Sequence, residues 1–132
     1  MNVVLYQVGR NLNRAYRTAE AFGIKELLLL ECKGSIQGNL FSATDRILVR
    51  NIEEWPKAKG LLVLENWYKM PLRLVDWSLV ETVLIGGEST RLSWSVESEQ
   101  KAVIPMHGKI GCLTTEAALA IALYEWRLNA NL

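Results

Sequence analysis

Three arginines near the amino terminus have a spacing that would bring them together on a helix. Arg10, Arg14 and Arg17 recur at i, i+4 and i+7, so a helix would carry them on one stripe of its surface. Guanidinium groups bind phosphate oxygens through paired hydrogen bonds, and the stripe therefore suits the backbone of a nucleic acid. The alternative interpretation is a basic face that is merely solvated, and the pattern alone leaves it open.

A second segment of interest runs from Ile104 to Trp126. It begins at an apolar strand end, where Pro105 removes a backbone donor and stops the strand. Gly108 and Gly111 follow in the loop, where they allow unusual backbone conformations and let a ligand approach the main chain closely. This pattern predicts a pocket that presents bare amide and carbonyl groups.

The second half of that segment predicts a long helix. Thr114 and Thr115 are both N-cap candidates, and Glu116 suits the positive end of the helix dipole. Residues 117–124 are apolar on all sides, so this helix is expected to be buried in a core or against another subunit.

A third candidate is the turn Gly86-Gly87-Glu88, which follows an apolar strand. Taken alone it is a turn beside an acidic residue, and it is weak evidence for any particular ligand.

The elements that would position these residues alternate along the chain. Apolar runs predict strands over 2–7, 25–31, 46–49, 60–65, 81–85 and 101–104. Helical spacing predicts a helix over 12–22 that ends at Gly23, with Leu12, Ala15, Ala19 and Phe22 toward the sheet. A brief helix is predicted from Asn51 to Trp55 and a short one over 92–98, with a loop over 34–43 and no assignment for 67–78.

This alternation indicates an α/β fold with a mostly parallel sheet and helices on both faces. Ligands of such sheets bind at the carboxyl ends of the strands, which are predicted at Glu65, Gly86 and Met106.

Composition excludes several other classes of protein. The chain has 132 residues, half of them hydrophobic, and a net charge of +1, so we expect one compact domain without a strong electrostatic field. Two cysteines and one histidine make a zinc site or a disulfide framework improbable, and no metal is predicted. The amino terminus lacks a secretory signal and the longest leucine run is too short to span a bilayer, so a cytoplasmic protein is expected.

The three segments, in this order, resemble the SpoU/TrmH family of the SPOUT superfamily, which are S-adenosylmethionine-dependent RNA ribose 2′-O-methyltransferases. The family's first motif is an Asn, an Arg six residues later and a small-residue helix ending in Phe-Gly; it matches Asn11, Arg17 and residues 18–23. The second, a strand leading into Gly-x-Glu, matches Gly86 and Glu88. The third motif matches Ile104, Pro105, Met106, Gly108, Cys112 and Leu113.

The resemblance implies a SPOUT-type fold over residues 1–132, with a C-terminal trefoil knot and a homodimer packed through terminal helices. The similarity is closest to the minimal single-domain members, several of which act on transfer RNA, so transfer RNA is favoured over ribosomal RNA as substrate. The sequence leaves open which nucleotide is modified, and whether the methyl group goes to a ribose or to a base.

The resemblance implies roles for particular residues. The methyl donor S-adenosylmethionine is expected to contact six positions, namely Leu64, Gly86, Ile104, Met106, Cys112 and Leu113. For Cys112 the alternative is a small thiol that only packs. Catalytic roles are expected at Arg17, Asn11, Glu88 and Thr114, with Arg10 and Arg14 guiding the RNA backbone. Because arginine is nearly always protonated, we expect Arg17 to clamp a phosphate and stabilise developing alkoxide charge rather than act as a base.

The chain departs from the family pattern at several positions. Asn13 and Arg91 replace glycines of the first and second motifs, and the Ser-Leu-Asn-x-Ser of the third motif is here Cys-Leu-Thr-Thr-Glu. Glu116 could repel RNA, pair with Arg17, or serve only the helix dipole. A non-catalytic SPOUT protein that binds the donor or RNA is therefore an alternative. An unrelated doubly wound nucleotide-binding domain is a weaker one, because the chain has no G-x-G-x-x-G or Walker-type loop.

Overall fold

Seven strands and two α-helices make up the part of the chain that the computed structural model describes, which is residues 1–9, 12–34, 47–57, 59–66, 68–87, 98 and 100–130. They are β1 (Asn2–Tyr6), α1 (Leu12–Ala21), β2 (Glu26–Leu30), β3 (Leu48–Ile52), β4 (Leu61–Leu64), β5 (Met70–Pro71), β6 (Thr82–Gly86), β7 (Gln100–Val103) and α2 (Thr115–Ala130). Two short 3₁₀ turns, Leu72–Leu74 and Trp77–Leu79, lie between β5 and β6.

The seven strands form one sheet in the order β3-β2-β1-β6-β4-β7-β5, and all neighbouring strands are parallel. The prediction of an α/β fold with a mostly parallel sheet is confirmed. The register pairs Tyr6 with Leu30 and Gly86, and Leu64 with Ile85. The carboxyl ends of the central strands are therefore aligned along one edge of the sheet.

Both described α-helices pack on the same face of the sheet. Alternate strand residues such as Val3 and Leu5 form one core cluster with Leu12, Ala15, Tyr16 and Ala19 of α1 and Leu119, Ala122 and Leu123 of α2. The inward positions predicted for the first helix are confirmed at Leu12, Ala15 and Ala19, and Phe22 packs at the border of the cluster.

The opposite face of the sheet is also buried. Its cluster consists of Val4, Leu28, Leu30, Leu61, Val63 and Leu84, with the rings of Tyr6, Trp55 and Tyr68 packed against it. Burial on both faces explains why β2 and β4 read as continuous apolar runs instead of alternating ones. Helices over this second face stay a prediction.

The helix α1 ends just before Gly23, as its sequence predicted. Gly23 has a φ of 74°, a left-handed conformation that a side chain would strain. The Gly23 amide donates to the Glu20 carbonyl over 3.1 Å and the Ile24 amide to the Ala19 carbonyl over 3.0 Å, which is the hydrogen bonding of a Schellman cap. The chain turns there into β2.

The predicted brief helix from Asn51 to Trp55 is wrong. Asn51 lies in β3, which pairs with β2 up to Ile52 and so extends beyond the predicted strand over 46–49. β3 is an edge strand and three of its five residues are exposed, so polar residues such as Arg50 interrupt the apolar pattern that would have revealed it. Most of the predicted loop over 34–43 and the helix predicted over 92–98, apart from Gly34 and Ser98, lie outside the described residues.

Within this chain the helix α2 is buried along one face only, and its predicted burial in a core or against another subunit is confirmed for that face alone. Leu119, Ala122 and Leu123 are buried, while Ile121 and Tyr124 are 40% and 58% exposed. The exposed apolar side chains lie away from the sheet.

Candidate functional site

An open cleft lies at the carboxyl edge of the sheet, where β4, β6 and β7 end side by side. Its empty volume is about 540 Å³, a figure that includes space continuous with solvent. All six positions expected to contact a methyl donor line it: Leu64, Gly86, Ile104, Met106, Cys112 and Leu113. Residues from three separate segments of the sequence therefore meet in one cleft.

Backbone hydrogen bonds fix the strand ends that form the floor of the cleft. The amide of Glu65 donates to the carbonyl of Ala102 over 3.1 Å, which joins the end of β4 to β7. The amide of Gly87 donates to the carbonyl of Tyr6 over 2.9 Å, which joins the end of β6 to β1. The strand ends predicted at Glu65, Gly86 and Met106 all contribute to the lining.

The two threonines at the start of α2 have different roles. Thr114 is exposed and is the N-cap, since its carbonyl accepts from the Ala118 amide over 3.0 Å and its hydroxyl from the Ala117 amide over 3.4 Å. Thr115 is buried, lines the cleft and donates to the Gly86 carbonyl over 3.1 Å. Thr114 does not belong to the cleft lining, and its catalytic role stays a prediction.

The arginine stripe is partly visible on the surface of α1. Arg14 and Arg17 are both exposed, one helical turn apart, whereas Arg10, Asn11 and Glu88 lie outside the described residues. The predicted roles of those three residues stay predictions.

An ion pair connects α1 to the start of α2. The Nη1 atom of Arg14 lies 3.7 Å from Oε1 of Glu116, and the two side chains are 72% and 18% exposed. The other carboxylate oxygen of Glu116 is buried and accepts no hydrogen bond from the described residues. Glu116 thus pairs with Arg14 of the stripe, and its role in RNA binding or catalysis stays a prediction.

Sequence reasoning missed part of the cleft. Asn66, Ile85 and Ala118 line it, and Glu65 was named only as a strand end. The position of Asn66 directly after a predicted strand end was the available signal. Burial, and then the negative charge of Glu65, raises the pKa of the nearby Tyr68 phenol above its ordinary value.

The two cysteines are free thiols in different environments. Cys112 is exposed in the cleft. Cys32 is half-buried, its Sγ donates to the Leu5 carbonyl over 3.2 Å, and burial raises the pKa of its thiol. Among the residues that the structure describes, no three His, Cys, Asp or Glu side chains cluster as metal ligands would, and no helix is long and apolar enough to cross a membrane.

The chain is similar to known proteins among solved structures. No known family's sequence model matches the chain, and no curated protein matches it in sequence. The structure superimposes on SpoU-type RNA methyltransferases over nearly its whole length, so the chain has their fold and the resemblance drawn from its motifs is confirmed at that level.

Three of these structures illustrate the likeness. An RNA 2′-O ribose methyltransferase matches with a TM-score of 0.81 at 19% identity, covering 100% of this chain and 57% of the other. The A. aeolicus TrmH/SpoU tRNA modifying enzyme matches with a TM-score of 0.80 at 21% identity, covering 98% and 74%. The SpoU methyltransferase AviRb from Streptomyces viridochromogenes, in complex with the cofactor AdoMet, matches with a TM-score of 0.77 at 19% identity, covering 98% and 58%. The chain thus spans less than two thirds of two of these three proteins.

Proposed function

We propose that the protein is an S-adenosylmethionine-dependent RNA 2′-O-ribose methyltransferase, with transfer RNA as the favoured substrate. One observation carries this proposal: the six positions that the family resemblance assigns to the donor line a single cleft, in a chain with the SpoU methyltransferase fold. One of the similar structures is a tRNA modifying enzyme and another was solved with AdoMet bound, which supports both parts of the proposal.

The chemistry of the cleft fits the donor. Apolar side chains of Leu64, Ile104 and Leu113 offer a surface for an adenine ring, and the main chain at Gly86 and Gly87 is open to close approach. When bound there, the donor supplies a methyl group on a positively charged sulfur. The chain's own task is to hold the ribose oxygen in line with that methyl group, and placement alone supplies much of the rate enhancement.

Arg17 is the residue proposed to act on the RNA. Its exposed position on α1 suits a clamp on the phosphate next to the target ribose. A fixed guanidinium there also stabilises negative charge as the 2′-hydroxyl loses its proton. Arg14, one turn away, continues the same basic surface.

A trefoil knot is proposed for the region around β7. Ala102 of β7 pairs with Leu64 of β4 on one side and with Met70 of β5 on the other. β4 and β5 follow each other in the chain, so their connection crosses β7, and the segment that lines the cleft continues beyond this crossing. This crossing supports a threaded chain.

We also propose that the protein is a cytoplasmic homodimer. Ile121, Tyr124 and Leu128 recur at i, i+3 and i+7 on α2 and are 40%, 58% and 50% exposed. An apolar stripe on a helix otherwise packed into the core suits a second copy of the chain. Trp126 of the same helix is partly buried and packs against the core.

The direct test is mass spectrometry of nucleosides from total RNA incubated with the protein and the donor. We expect one 2′-O-methylated nucleoside to increase, and the increase to fall in the transfer RNA fraction. Arg17→Ala should lower the rate of transfer by about 10²- to 10³-fold, as loss of one charge-stabilising donor does. Arg73→Ala, an exposed arginine on the first 3₁₀ turn, is the matched control and should leave the rate unchanged.

Two outcomes would contradict the proposal. Donor binding without methylation of any RNA would favour the non-catalytic alternative. Failure to bind the donor would contradict the cleft assignment as well as the enzyme.

A further inference from the structure

Among the cleft-lining residues that the structure describes, Glu65 is the one with a charged side chain. The remainder of the lining is apolar or glycine, apart from Asn66, Cys112 and Thr115. The Thr115 hydroxyl already donates to the Gly86 carbonyl. A ligand in this cleft therefore meets the carboxylate of Glu65 at the end of β4.

The structure holds that carboxylate in a defined place. The Glu65 amide is bonded to the Ala102 carbonyl over 3.1 Å, which anchors the residue at the end of β4. Its Oε1 atom accepts from the Asn66 amide over 2.9 Å, and the residue is half-buried. Each carboxylate oxygen carries two lone pairs, so a carboxylate can accept hydrogen bonds from several groups at once.

The strand order decides which end of the donor lies near Glu65. α1, with Arg14 and Arg17, follows β1, whereas Glu65 follows β4, and β6 lies between these two strands. Two strand spacings put β4 about 10 Å from β1. In the proposed enzyme the reacting methyl group lies toward Arg14 and Arg17, which places the adenosine part of the donor beside β4.

Adenosine offers two adjacent ribose hydroxyls, which are hydrogen-bond donors that a carboxylate accepts well. Other doubly wound folds use an acidic residue for the same ribose hydroxyls. We propose that Glu65 determines specificity in the donor cleft by accepting hydrogen bonds from the 2′- and 3′-hydroxyls of the bound adenosine. This inference rests on the proposed function and adds the group that recognises the ribose.

Titration calorimetry with S-adenosylmethionine and its product S-adenosylhomocysteine tests the inference without any turnover. Glu65→Ala should weaken both ligands equally, by about 10- to 100-fold, since a hydrogen bond to a charged group is lost. Glu65→Gln keeps an oxygen for the Asn66 amide and removes only the charge, so it should weaken binding less than Glu65→Ala does. It also replaces the alanine variant as the test if that variant folds poorly. Glu53→Ala, an exposed carboxylate outside the cleft, is the matched control and should bind both ligands as the native chain does.

A deoxy ligand identifies the hydroxyls directly. The native chain should bind 3′-deoxyadenosyl-homocysteine more weakly than S-adenosylhomocysteine, and Glu65→Ala should bind the two alike. A native chain that binds neither S-adenosylmethionine nor S-adenosylhomocysteine would overturn the proposed function itself. Binding by the native chain that both Glu65 variants leave unchanged would overturn only this inference. A loss confined to S-adenosylmethionine would overturn it too, because the carboxylate would then meet the cationic sulfur.

Discussion

The hydroxyl of Thr115 donates a hydrogen bond to the carbonyl oxygen of Gly86 over 3.1 Å, across 29 positions of sequence. The bond ties the first residue of α2 to the last residue of β6, and both residues line the cleft. Thr115 is 4% exposed, so water has little access to its hydroxyl. This contact joins the start of α2 to the cleft, in addition to the core packing of Leu119, Ala122 and Leu123.

Removing the Thr115 hydroxyl should lower the stability of the fold and weaken ligand binding in the cleft. Thr115→Val keeps the shape of the side chain but leaves the Gly86 carbonyl without this donor, which should cost about 1–3 kcal/mol of unfolding free energy. Denaturant unfolding measures the stability, and calorimetry with S-adenosylhomocysteine should show weaker binding. Thr115→Ser retains the hydroxyl and is the control; a valine variant as stable as the serine variant would mean that the bond contributes little.

The thiols of Cys112 and Cys32 should react with an alkylating reagent at different rates. Cys112 is exposed in the cleft, whereas Cys32 is half-buried and burial raises the pKa of its thiol, so Cys32 carries less of the reactive thiolate at a given pH. We expect iodoacetamide to label Cys112 first, and S-adenosylhomocysteine to protect Cys112 only. Peptide mass spectrometry reads both sites in one sample. Unprotected labelling of Cys112 at saturating ligand would place the ligand elsewhere.

Glu116 should limit how strongly the protein binds RNA. The Glu116 carboxylate lies 3.7 Å from the Arg14 guanidinium and competes with a phosphate for it, so Glu116→Gln should remove this competition. We expect RNA affinity to rise by a few fold and the salt dependence of binding to steepen by about one ion. Filter binding at several salt concentrations measures both quantities. Glu125→Gln, on the same helix, is the control, and an equal effect there would indicate that only net charge matters.

The exposed stripe of α2 should hold the homodimer together. Replacing Ile121 and Tyr124 by glutamate places charge on an apolar interface, and light scattering should then report a monomer at micromolar concentration. The stability of the monomer should change little, because both side chains project away from the core. Leu48→Glu is the control, since Leu48 is 54% exposed on the edge strand β3. A native chain that is already monomeric would contradict the proposed dimer.

Local patterns were reliable where one element's own residues decide its structure. The apolar run of β2 predicted a strand because both faces of this strand are buried, and Gly23 predicted the end of α1 because the cap needs a left-handed residue. The same reasoning failed at Asn51, because an edge strand with exposed side chains lacks an apolar period and owes its existence to pairing with β2.

The amino-acid sequence by itself predicted most of the described strands and helices, the loops that bear glycines and, through its resemblance to a family, six of the residues that line the cleft. The tertiary structure decided which elements are neighbours. Strand order brings Leu64, Gly86 and Ile104 together, selects Thr115 instead of Thr114 for the cleft, and pairs Glu116 with Arg14. The reason is that propensity and periodicity act over a few residues, whereas these contacts join segments far apart in the chain and depend on how the whole sheet assembles.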